Sequence, residues 1–178
     1  MTEKMFAAES AAPQRHGAAA LLSTITTGWA LAGALLFCLL VVMSLVSIVG
    51  RKMFSAPVVG DIELLMMGSA VASAAFLPLC EMEDNHVRVD ALTSWMSVRG
   101  RAVLDAISHA LLFLASALIT WRTGLYALEM RENMEVSTLL LVPLWIPVVL
   151  LVPSLVLLSL AALYRMTYSA GVALGVRP

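Results

Sequence analysis

The chain reads as an all-α integral membrane protein with four transmembrane helices and a short amphipathic interfacial segment between the second and third. Three observations predict this. Uncharged apolar runs recur along the sequence: Ala18 to Gly50, the seventeen residues between Glu63 and Glu81, Ala106 to Trp121 broken only by His109, and Val136 to Tyr164. A hydrocarbon layer about 30 Å thick takes roughly 20 such residues per helical crossing. Of the 178 residues 61% are hydrophobic and 13% charged, with a mean hydropathy of +0.92, more apolar surface than a water-soluble domain of this size can bury. The connections between the runs are too short to hold a soluble domain, so residues 1–178 are expected to form a single membrane domain.

After a polar N-terminal segment (1–24), the first crossing is expected over about 27–50. Its uncharged run of 33 residues would make roughly 50 Å of helix, more than one crossing needs. The STITTG start is therefore assigned to the headgroup zone and the core span to Trp29–Val49. Because the run far exceeds the apolar core of a cleaved signal peptide, it reads as a retained anchor. Pro57 and Gly60 break the chain. Asp61 is suited to cap the second helix, with Glu63 in its first turn against the positive helix end. The second crossing, about 62–80, carries Gly68, Ala72 and Ala75 at i, i+4 and i+7, a small-residue face for close helix approach. Pro78 is expected to bend or end it before EMED. In the following loop, Leu92, Trp95 and Met96 give an apolar side to the interfacial segment, and Gly100 is expected to break that segment from the third helix.

The third crossing, about 102–122, places Arg101, Asp105 and His109 on one face. Asp105 and His109 lie near the hydrocarbon boundary and should face protein. The helix is expected to continue through RTGLYALEMREN, with Asn133 as its stop. The fourth crossing, about 141–164, carries Pro143, Pro147 and Pro153, which predict an irregular start and a kink. Trp145 marks one interface, Tyr164 and Arg165 the other, and the tail 165–178 needs no fold.

Charge sets the orientation. Seven cations (Lys4, Arg15, Arg88, Arg99, Arg101, Arg165, Arg177) fall on the side of the termini and four (Arg51, Lys52, Arg122, Arg131) on the opposite side. The bias puts both termini in the cytoplasm, with Arg51 and Lys52 running against it. A net charge of −1 without a basic block excludes nucleic-acid binding. Cys38 and Cys80 form no redox or metal spacing and read as small packing residues. No triad, zinc motif or phosphate loop occurs, so neither an enzyme nor a cofactor is expected. His86 and Asp90, at i and i+4, could share a metal, but a salt bridge or hydrogen-bonded turn is the better reading. With no ionisable residue at the midplane of the first, second or fourth span, a stand-alone transporter is disfavoured.

The segment GDIELLMMGSAVASAAFLPLCEMEDNHVRVDALTSWM resembles the small membrane subunit of tripartite ATP-independent periplasmic (TRAP) transporters, the DctQ-type family. An acidic residue opening the second helix (Glu63), a small-residue run, a His86-x-Arg88-x-Asp90 loop and VPLWIP at the head of the fourth helix carry the resemblance. It implies a non-catalytic scaffold subunit in the bacterial inner membrane. The partner would be a large DctM-type membrane subunit holding the substrate path and the coupling sodium, and a periplasmic binding protein would deliver an organic acid. An independent homo-oligomeric four-helix channel or transporter is the alternative. Within the first reading, Glu63 either pairs with a basic group of the partner or stands alone as a first-turn carboxylate. Arg88 and Asp90 fix the cytoplasmic loop, Asp105 and His109 bond across a helix interface, and Arg51 and Lys52 snorkel or meet lipid phosphate.

Overall fold

In the computed structural model, residues 17–54, 59–83 and 98–174 are described. They form four helices: α1 (Ala18–Phe54), α2 (Asp61–Glu83), α3 (Val98–Glu132) and α4 (Trp145–Ala173). Each is long and apolar enough to cross a membrane, and there is no strand among the described residues beyond an isolated Val136–Pro143 bridge. The helices alternate in direction. Helix α2 is central, packed on α1 along one side and on α4 along another, while α3 lies along α4.

The interior is built from small side chains. Ala30, Ala72, Ala74, Ala75, Ala127, Ala161 and Ala162 are buried, with Ser47, Ser116 and Ser154 among them. Lipid tails are as apolar as leucine, so helices associate in a bilayer only where backbones come close or polar groups meet. The Gly68–Ala72–Ala75 face does this against α1. At Gly33 a Cβ would stand 2.6 Å from Ala75 Cβ and 3.1 Å from the Ala72 carbonyl oxygen, and at Gly68 it would meet Leu40 Cδ1 at 2.7 Å. On α3 the buried His109, Ser116, Ala127 and Met130 recur at nearly whole-turn spacings. Ser154, Leu158 and Ala161 form the corresponding face of α4.

Several expectations need correction. Pro78 does not end α2, which continues to Glu83. The proline leaves the Ala74 carbonyl without its usual helical donor, a loss tolerated here within the helix. Gly100 lies inside α3 and breaks nothing, because the helix already begins at Val98. Helix α4 extends past Arg165 to Ala173, so the tail is helical over most of its length. Cys38 and Cys80 are exposed on the outer face of the bundle and pack in no interior. The amphipathic segment between α2 and α3 falls outside the described residues.

The end of α3 is a Schellman motif. The Glu135 amide donates to the Met130 carbonyl at 3.2 Å, the Met134 amide donates to that of Arg131 at 3.3 Å, and Met134 adopts φ 51°. Asn133 is thus the last residue before the left-handed position, which falls on Met134. From there a tight loop leads back into α4, closed by Ser137 N–H to the Val142 carbonyl at 2.9 Å and Leu144 N–H to that of Glu135 at 3.0 Å. This is the irregular start that Pro143 and Pro147 foretell.

Two stability outcomes follow, both read by thermal unfolding in mild detergent. Gly33→Leu should part α1 from α2 and lower the melting temperature sharply. Met134→Gly, at a site 84% exposed, should raise stability by about 0.5–1 kcal/mol by removing a side chain from a left-handed position.

Candidate functional site

The carboxylates that bond within the bundle gather into two clusters, one at each end, and the buried polar side chains between them are hydroxyls. At the first end the close of α1 meets the start of α2. The Asp61 carboxylate is shared: Oδ1 accepts the Ile62 amide at 2.8 Å, and Oδ2 accepts the Ser47 hydroxyl at 2.5 Å and Arg51 Nη2 at 3.2 Å. Asp61 is the first residue of α2, with the Gly60 carbonyl taking the Leu64 amide at 3.0 Å, so instead of standing at the cap position it fastens α2 to α1 through the fully buried Ser47. Arg51 remains largely exposed and Lys52 beside it is exposed.

Glu63, half-buried two residues on, does not stand alone. Its Oε1 accepts the Leu139 amide at 2.9 Å and its Oε2 the Leu140 amide at 3.1 Å. One carboxylate therefore satisfies two consecutive backbone N–H groups of the α3–α4 loop, a charge-assisted pair of bonds. Gly60 makes room for that loop: with φ +75° it sits directly beneath the Leu140 side chain, which any Cβ there would strike. Trp145 belongs to the same end. The Arg131 guanidinium lies 5.6 Å from the centroid of its ring, joining the end of α3 to the start of α4.

At the opposite end, α2 and α3 meet at a buried pair. His109 Nδ1 lies 2.6 Å from Glu81 Oε1, with Glu81 fully buried and His109 nearly so. Burying a carboxylate in this setting requires such a partner. His109 faces protein as expected, and Asp105, one turn earlier, is half-buried. Between the two clusters, Trp29 Nε1 donates to Ser154 Oγ at 2.8 Å, tying α1 to α4. His86, Arg88 and Asp90 lie outside the described residues.

Glu81 and Ser47 are the residues that sequence reasoning missed. Glu81 was hidden among the acids of EMED, yet Ala74, Pro78 and Glu81 keep the i, i+4, i+7 rhythm of the buried face. That phase singles it out from Glu83, which is exposed. Ser47 carries no comparable signal, because nothing local distinguishes it from Ser44. No cluster of three or more His, Cys, Asp or Glu side chains suited to a metal occurs among the described residues. The arrangement holds helices together.

Residues 40–170 match the family of tripartite ATP-independent periplasmic transporters, DctQ component. The chain belongs to the DctQ family. It is thus the small membrane component of a TRAP transporter and a multi-pass membrane protein. No curated protein and no solved structure matches it. The matched region takes in Asp61, Glu63, Glu81, His109 and Trp145, so both polar clusters fall within the part of the chain that defines a DctQ protein.

Loss of the Glu63 carboxylate should free the loop it holds. In Glu63→Ala, hydrogen exchange at the Leu139 and Leu140 amides is expected to rise by at least tenfold, while exchange in mid-α2 stays unchanged. At the other end, His109→Ala takes a bonded partner from the buried Glu81 and should lower stability. The double replacement Glu81→Leu, His109→Leu should recover most of that in equilibrium unfolding.

Proposed function

We propose that this DctQ protein is the scaffold subunit of a TRAP-type secondary transporter that imports organic acids, with sodium as the coupling ion. In this reading a large DctM-type subunit carries the substrate path and the sodium sites, and a periplasmic binding protein delivers the substrate. The protein sits in the bacterial inner membrane with both termini in the cytoplasm. The Glu81–His109 end is then cytoplasmic and the Asp61–Glu63 end periplasmic.

One observation carries the scaffold role. The ionisable groups that bond in the described interior do so to other groups of the same chain at the two ends, and the packed middle holds alanine, glycine, serine, threonine and leucine. A transport path normally places ionisable groups or broken helices at the midplane. The helices also leave most of their apolar surface uncovered, including Leu31, Leu35, Leu39, Val42, Leu111, Leu114 and Leu118, which suits a chain that lies against another membrane protein and lipid. Glu63, Arg51, Asp105, His109 and Trp145 are assigned structural roles within the subunit, and Lys52 is left facing the headgroup region. His86, Arg88 and Asp90 are assigned to fixing the cytoplasmic loop.

Tagged protein extracted in mild detergent is expected to retain a large membrane partner. Absence of any such partner, or solute movement by the purified chain alone in liposomes, would overturn the scaffold reading. Replacing Glu63 or Arg88 by Ala should lower uptake by the assembled system several-fold while the binding protein's affinity for its substrate stays unchanged. Full uptake in both variants would mark these residues as ordinary surface charges.

A further inference from the structure

We propose that the groove between α1 and α2 below Arg51 and Lys52 binds one anionic phospholipid, with its phosphate on the two cations and an acyl chain along the groove. The groove encloses about 380 Å³ and is lined by Ser44, Ile48, Arg51, Lys52, Ile62 and Leu65, with Asp61 at its head. Two cations at this end run against the charge bias of the rest of the chain, and the structure gives them a common direction. Arg51 spends one nitrogen on Asp61 and is 57% exposed, leaving further N–H donors of its planar fork open. Lys52 is exposed and bonds to no carboxylate among the described residues. The Asp61 carboxylate is already occupied by Ser47, the Ile62 amide and Arg51, so it neutralises one cation and leaves a net positive charge at the groove head.

Directly below that charge the wall is apolar and open. Ile48, Ile62 and Leu65 are each more than a third exposed. The level is that of the headgroups, since α1 ends three residues after Arg51. Positive charge at the headgroup plane above an open apolar channel complements a phosphate joined to a hydrocarbon chain. A net anionic headgroup suits the site better than a zwitterionic one, whose own amine would approach Lys52. A helix of another protein in the same groove would have to cover Lys52 and supply an acid to meet it. The inference stands on the membrane fold and is independent of which solute the transporter carries.

Photoactivatable phosphatidylglycerol with a diazirine in one chain, incorporated into nanodiscs with the full-length protein and any membrane partner it retains, tests the site. Adducts are expected on the groove-lining residues of α1 and α2, above the level on the outward residues Val42, Leu45 and Val49 of α1. Lys52→Gln should reduce the groove adducts about fivefold, the effect of one lysine near a charged membrane surface, and Lys52→Arg should restore them. The same probe with a phosphatidylcholine headgroup should label groove and outward face alike. Groove labelling that is unchanged in Lys52→Gln would mean ordinary annular lipid and overturn the proposal. So would absent groove labelling, the result expected if a partner helix sits there, or displacement by inorganic phosphate alone.

Discussion

A bilayer gives helices no reason to leave lipid for one another, and this protein is organised around that constraint. Where α1 crosses α2, Gly33 of one helix faces Ala72 and Ala75 of the other, so closely that a single added methyl group would collide. Where side chains are polar they are matched in pairs of short reach: Ser47 with Asp61, Trp29 with Ser154, Glu81 with His109. Dispersion over close backbones and a few satisfied hydrogen bonds do the work that apolar burial does in water. It follows that large apolar side chains lie mostly on the outside, the reverse of a soluble bundle.

The two polar ends differ in kind. The Asp61–Glu63 end is assembled from exposed and half-buried groups, and each carboxylate there receives backbone amides as well as side chains. Such a cluster can exchange partners with solvent and lipid headgroups at modest cost. The Glu81–His109 end is shut off from solvent, so its bond cannot be traded for one to water. One end therefore positions a loop, and the other joins α2 to α3.

Much of this was legible in the residues. Four apolar runs gave four helices, because length and lack of charge are sufficient signals for a span. The Gly68, Ala72, Ala75 rhythm marked a packed face, because only a helix puts those positions in line. Membership of the DctQ family rested on the order of an opening acid, a small-residue run, a His-x-Arg-x-Asp loop and a proline-rich fourth-helix start. What escaped was pairing across distance. Glu63 reads locally as a first-turn carboxylate, and its true acceptor role depends on a loop more than seventy residues away. Gly100 was overrated as a breaker and Pro78 as a stop: both sit within helices, held there by a context that local propensity does not encode. Cysteine burial was misjudged for a related reason, since a thiol facing lipid is as well solvated as one inside.

The sparse contact between α1 and α4 has a consequence for how the chain assembles. Helices α1 and α2 are closed on each other by Ser47, Asp61 and Arg51, and α3 and α4 by the tight turn and the Arg131–Trp145 stack. Each hairpin thus carries closing contacts of its own that do not depend on the other half. The halves then join chiefly along the seam between α2 and α4, pinned at either rim by a glutamate. A defect at the seam would therefore separate the two halves while leaving each hairpin's own contacts in place.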